Sequence, residues 1–163
     1  EEYTARINCV IDHIQNHLAD DLSLETLSHI AHFSRFHFHR IFSAMVGETL
    51  NQYIKTLGVY HDDPKVTEQA KLRSSACVTV PEDTPVEGEI GEMTVPGGQF
   101  AVAHFEITDA QFQEAWDMVM GGWFPESGYQ PDDRPCYELC HNNHEEHPEK
   151  KHIVDICVPV RPM

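Results

Sequence analysis

The amino-acid sequence predicts an α+β protein, with an N-terminal all-α segment followed by an antiparallel sheet carrying a packed helix. Three observations predict it. Apolar residues recur at helical spacing through the first third of the chain. Farther on, the pattern changes to strand-like alternation, clearest in Val154, Ile156, Val158 and Val160. Between such strands lies one strongly helical run, from Thr108.

The elements follow in order. Ile7, Val10, Ile11, Ile14 and Leu18 define an amphipathic first helix, which Asp20-Asp21 ends. Ser23 suits the N-cap of a second helix, with Glu25 at the positive end of its dipole and Leu24, Leu27, Ile30 and Ala31 as its buried stripe. Ser34 caps a third helix, closed by Gly47 in a left-handed conformation. Gly58 to Pro64 reads as a strand and turn, and ACVTV from Ala76 as another strand. PEDTPVEGE is a Pro-rich connection. Val95-Pro96-Gly97-Gly98 predicts a hairpin between Glu89 to Thr94 and Gln99 to Ile107. Thr108 and Gln111 form a capping box for a helix through Phe112, Ala115, Trp116 and Val119, which Gly121-Gly122 should stop. Strands at Cys136 to Cys140 and His152 to Val160 complete the order.

The longest apolar runs are only a few residues, and Glu1 and Glu2 stand where a signal peptide would carry basic residues, so we expect a cytoplasmic chain with no membrane partner. Five cysteines, Cys9, Cys77, Cys136, Cys140 and Cys157, form an odd set that favours reduced thiols. The net charge of −16 argues against nonspecific adhesion to nucleic acid. It is uneven: residues 1–57 hold four basic and seven acidic side chains, the remainder seven and twenty.

On the third helix, Phe38, Ile41, Phe42 and Met45 share one arc, while Phe36, His39, Arg40 and Ser43 fall opposite. An exposed aromatic beside Arg and His is unlike core. In a major groove Arg40 could donate to guanine or phosphate, His39 to a base edge and Arg35 to backbone phosphate, with Phe36 on a thymine methyl. A solvated helix face is the plain alternative.

LSLETLSHIAHFSRFHFHRIFSAMVGETLNQYIK resembles the first helix-turn-helix of the AraC/XylS regulators, through Ile30-Ala31, Ser34, Arg40, Phe42 and Gly47. The resemblance implies operator DNA as a partner, with Arg35, Phe36, His39 and Arg40 as contacts. LGVYHDDP, VPGGQFAVAHFE, AWDMVMGGWFPESGYQPDDRPCYELC and VDICVPVRP resemble, in order, the GyrI-like effector-binding domain. That implies an incomplete βαββ repeat binding a small, cationic, aromatic compound, with the ligand-facing carboxylate at Glu138. An ionised carboxylate among aromatic rings would attract an organic cation, and Tyr60, Trp116, Trp123, Phe124 and Tyr137 are the candidate rings. In a regular strand Tyr137 points away from Glu138.

We therefore expect a DNA-binding segment at 1–56 and an effector-binding domain at 57–163, together a ligand-responsive regulator. NQYIK runs into LGVYHDDP within two residues, leaving no room for a second helix-turn-helix or for the opening strand and helix of the effector domain. Either the chain lacks these elements, or residues are missing between about Lys55 and Gly58; in the first case a sheet short of one strand has an unpaired edge that invites homo-oligomerisation. Three rivals stand beside this reading. One is a stand-alone drug-sequestering module. Another is a zinc module using Cys136, Cys140, His141, His144, His147, His152 and Cys157, although the chain has no C-x-x-C pair. The third is an enzyme, although no nucleophile motif such as G-x-S-x-G is present. The primary reading has no cofactor, metal or catalytic residue.

Overall fold

The computed structural model describes residues 2–17, 20–80, 84, 86 and 88–163. The chain divides into two compact units, Glu1–Ile54 with Val78–Met93, and Lys55–Cys77 with Thr94–Met163.

In the first unit, α1 (Glu2–Asn16), α2 (Leu24–Ile30), α3 (Arg35–Val46) and α4 (Leu50–Tyr53) enclose Ile7, Val10, Ile14, Leu27, Ala31, Phe38, Phe42 and Leu50. The three- and four-residue spacing of Ile7, Val10 and Ile14 puts them on one face of α1. Leu18, expected to finish that stripe, lies outside the described residues, as do Pro81, Glu82, Asp83, Pro85 and Glu87 of the Pro-rich connection. The Ser23 hydroxyl accepts the Thr26 N–H, and the Ser34 hydroxyl accepts the His37 N–H, both at 3.3 Å. Each satisfies a donor that a helix start leaves without a partner. Gly47, at φ 89°, closes α3 with its N–H on the Ser43 carbonyl. Met45 departs from the expected inward arc and is 42% exposed. Phe42 is the last residue of α3 in the fully buried core, and beyond Gly47 Leu50 of α4 supplies the next core residue.

The second unit is built on a sheet of order β2-β1-β5-β6-β3, with β4 pairing β6 outside that path. Its strands are β1 (Thr56–Tyr60), β2 (Ser74–Val78), β3 (Phe100–Ile107), β4 (Tyr129–Pro131), β5 (Cys136–Cys140) and β6 (His152–Pro162). The β1–β5, β5–β6, β3–β6 and β4–β6 pairings are antiparallel. One face is covered by a helical run, and Ile107, Val154, Ile156, Val158 and Val160 pack there on Ala115, Val119 and Phe124. Each valine or isoleucine so buried contributes roughly 1.5–3 kcal/mol relative to exposure. Glu138, Ile156 and Ala103 pair across this face, whereas Leu139, Asp155 and His104 pair across the other.

Two expectations are corrected. Residues 89–94 form no strand, and β3 pairs with β6 instead of with them. Glu89, Gly91 and Glu92 offer little to a pleated, half-buried surface, whereas β6 presents alternating valines and isoleucine. The Gly97-Gly98 turn is held from another direction. Arg134 Nη1 donates to the Gly97 carbonyl at 2.8 Å and Nη2 to the Gln99 carbonyl at 2.9 Å. Gly121-Gly122 does not end the helix either. From α5 (Phe112–Asp117) the chain continues as a π-helical stretch over Met118–Trp123 into α6 (Phe124–Ser127). Pro125 has no N–H to return to the preceding turn and the glycines impose no side-chain constraint, so that turn is free to widen. The Phe124 N–H reaches the Val119 carbonyl, five residues back, and Gly128, at φ 75°, is the actual terminator.

Candidate functional site

Glu138 is the central residue of β5 and is only 8% exposed. Strand alternation aims it at the helix-covered face, where α5 brings Trp116 and β1 brings Tyr60. The Thr108–Gln111 capping box starts that helical run, with the Gln111 Oε1 accepting the Thr108 N–H at 3.0 Å. Trp116 Nε1 donates to Glu138 Oε1 at 2.5 Å, and the Tyr60 hydroxyl donates to Oε2 at 2.8 Å. The two rings meet edge to face, with centroids 5.7 Å apart. Burial, followed by the hydrogen bond and charge of Glu138, pushes the Tyr60 hydroxyl above its ordinary pKa, so it stays a donor. Among the described residues no ion pair reaches Glu138. The result is a nearly buried carboxylate satisfied by two neutral aromatic donors.

Among the described residues, the other candidate rings make no hydrogen bond to the carboxylate. Trp123 meets Phe124 edge to face at 5.0 Å and stacks on Tyr129 at 6.2 Å, and Phe124, Tyr129 and Trp116 share one apolar cluster under the sheet. Phe124 is buried in the core under the sheet. Tyr137 packs on Phe100 at 5.4 Å, and Phe100 in turn lies under the Arg134 guanidinium. As the alternation of β5 requires, Tyr137 is on the face opposite Glu138, so the two do not line one cavity. Tyr129 was not singled out from the sequence. The short strand that carries it has no alternation to mark it.

The cysteines of the cysteine and histidine cluster separate, whereas His144 and His152 stay in contact, their rings stacked at 4.2 Å. Cys136 and Cys140 lie at opposite ends of β5, about 13 Å apart at the usual rise per residue, too far to share an ion. Cys157 is buried on the other face of the sheet. Burial pushes the Cys136 thiol up to about 11 and raises those of Cys140 and Cys157.

In the first unit, Arg35, Phe36, His39 and Arg40 are all exposed on α3, Phe36 at 80%, while Phe38 and Phe42 are wholly buried. Arg35 approaches Glu25 at 3.8 Å.

Comparison with known proteins bears on this arrangement. The model of the GyrI-like small molecule binding domain matches residues 33–161. The chain belongs to the GyrI-like family. Its relatives include DNA gyrase inhibitor 2 of Dickeya dadantii, 39% identical over 93 residues, covering 54% of this chain and 59% of that protein. The DNA gyrase inhibitor of Yersinia enterocolitica is 30% identical over 91 residues, covering 53% and 58%. That of Serratia proteamaculans is 34% identical over 88 residues, covering 52% and 56%. This GyrI-like chain thus spans less than two thirds of the length of the curated relatives it matches. Among its described residues, no helix is long and apolar enough to cross a membrane.

Proposed function

We propose that this GyrI-like chain is a stand-alone binding protein for small hydrophobic cations, with Glu138 as the anionic anchor and Tyr60 and Trp116 as aromatic walls. The observation that carries the reading is the Glu138 carboxylate itself, nearly buried and without a cationic partner among the described residues. Two hydrogen bonds occupy part of its acceptor capacity and hold it in place, but they do not neutralise it. A ligand cation supplies that charge in a poorly hydrated setting and gains contact with the ring faces. The family description supports a binding role in place of catalysis.

Tryptophan-fluorescence titration with phenyltrimethylammonium and its uncharged isostere tert-butylbenzene tests the proposal. Wild type should prefer the cation, and Glu138→Gln should lose roughly 2–5 kcal/mol of cation binding while leaving the neutral ligand unchanged. Equal affinities in all four combinations would sink the reading.

A second reading, reading of DNA by α3, is favoured by one observation: a phenylalanine exposed at 80% beside Arg35, His39 and Arg40 on a capped helix. It would make the chain a ligand-responsive regulator of the AraC type. Fluorescence anisotropy with duplex DNA at several salt concentrations tests it, since phosphate contacts impose a steep salt dependence. The relatives' names suggest DNA gyrase as another partner, which a supercoiling assay with this chain addresses.

A further inference from the structure

On the sheet face opposite Glu138, strand pairing sets His104 of β3 directly across from Asp155 of β6. His141 follows immediately after β5 and reaches the same carboxylate. His104 Nδ1 lies 2.6 Å from Asp155 Oδ1, and His141 Nε2 lies 2.7 Å from Oδ2. The three ligand atoms lie within 4.8 Å of one another.

We propose that His104 Nδ1, His141 Nε2 and the Asp155 carboxylate form a binding site for a divalent zinc-class ion. Two imidazoles and one carboxylate are a donor set for zinc or its transition-metal neighbours, whereas magnesium and calcium prefer oxygen alone. The Asp155 side chain is 18% exposed, and each of its two oxygens already faces one imidazole nitrogen.

The three donors come from separate, anchored elements. The β3–β6 ladder fixes His104 against Asp155. The His141 N–H donates to the Ile153 carbonyl at 2.8 Å. Asn142 braces the same connection by accepting the Ile153 N–H at 2.7 Å and donating to the Lys151 carbonyl at 3.0 Å. Tetrahedral zinc with bonds near 2.0–2.1 Å separates its ligand atoms by about 3.3 Å. To reach that spacing each imidazole would withdraw from Asp155 by about 0.6–0.7 Å, while the two imidazole nitrogens, which lie within 4.8 Å of each other, would close toward it. Both rings are exposed and free to do so, and solvent can occupy the remaining coordination position.

A second His and Asp group, Asp109, His144 and His152, is the competing location. Its imidazoles stack nearly parallel at 4.2 Å, an arrangement that does not converge two lone pairs on one point.

Zinc competition titrations against a chromophoric chelator, on the untagged full chain, test the site, together with the visible absorption of the cobalt-substituted protein. One ion should bind per chain, with tetrahedral cobalt bands. His104→Gln and His141→Gln should each weaken zinc at least as much as the roughly 10- to 100-fold that loss of a ligand's outer-shell partner costs. His152→Gln should leave affinity unchanged. Absence of stoichiometric zinc, zinc binding undiminished in His104→Gln, or loss confined to His152→Gln would each overturn the proposal. His104 and His141 are exposed and His152 is part-buried, so far-ultraviolet circular dichroism of all three variants checks that the fold is retained.

Discussion

Gly58 faces Glu138 across the β1–β5 ladder, and a Cβ placed on it would lie 3.8 Å from the carboxylate Oε2 and 3.7 Å from the Tyr60 hydroxyl. Those are ordinary contact distances, so one methyl fits. Gly58→Ala should keep both stability and cation binding. Gly58→Leu should extend over the Tyr60–Glu138 hydrogen bond and obstruct approach to the carboxylate. We expect a loss of cation affinity of at least about tenfold, or 1.4 kcal/mol, with the fold retained, measured by tryptophan fluorescence alongside urea unfolding.

Removing one of the carboxylate's donors should be costly in a different way. Tyr60→Phe leaves Oε2 of a nearly buried, charged group short of a partner. We expect a loss of about 1–3 kcal/mol. Glu138→Gln, by contrast, removes a charge that has no counter-ion among the described residues and should hold or raise stability while abolishing cation preference. The two urea midpoints, compared with wild type, check the opposite signs.

Gly98 adopts φ 138°, and a Cβ there would lie 2.2 Å from Arg134 Nη1. Gly98→Ala should therefore both strain the backbone and displace the guanidinium from the Gly97 and Gln99 carbonyls. A destabilisation of about 1–3 kcal/mol is expected, read as a fall in thermal midpoint. A midpoint unchanged from wild type would show that Arg134 does not hold this turn.

Acid should test Asp155. Its folded pKa lies below the unfolded value, so its contribution is full above the unfolded value, 3.8, and is lost as pH falls through the folded pKa. Asp155→Asn should remove that part of the acid limb. Urea midpoints taken from neutral pH down to about pH 3 should fall less steeply for the variant.

On α3, Phe36→Ala should change stability by no more than about 0.5 kcal/mol. Phe42→Ala, in the core, should cost about 3–5 kcal/mol. Should α3 read DNA, Phe36→Ala and Arg40→Ala will weaken duplex binding in anisotropy measurements at full stability.

Where one residue type has a local physical consequence, the sequence was readable. Ser23, Ser34, Gly47 and the Thr108–Gln111 pair mark helix ends because each satisfies, or permits, a backbone geometry within a few residues of itself. Glu138 and the opposite facing of Tyr137 followed from strand alternation once the family resemblance had singled out the carboxylate. Pairing between distant segments was not readable. Val95-Pro96-Gly97-Gly98 looks like a hairpin turn locally, yet β3 finds its partner some fifty residues on, in β6. His104 escaped notice for the same reason, since its neighbour Asp155 is set by inter-strand register and not by spacing along the chain. The widened turn at Gly121-Gly122 depends on Pro125, whose effect acts backward on carbonyls that a rule about glycine as a terminator ignores.

Consecutive residues of β6 serve opposite faces of one sheet: Ile156 pairs with Glu138 on the helix-covered side, while Asp155 takes His104 and His141 on the other. A slip of this strand by a single residue would exchange those faces, driving a carboxylate under the helix and an isoleucine into the imidazole pair. One alignment of backbone hydrogen bonds therefore specifies both sites at once. Any change that lets β6 settle out of step, such as an inserted residue in the connection from His141 to Lys151, would erase the two together while leaving the secondary-structure content nearly the same.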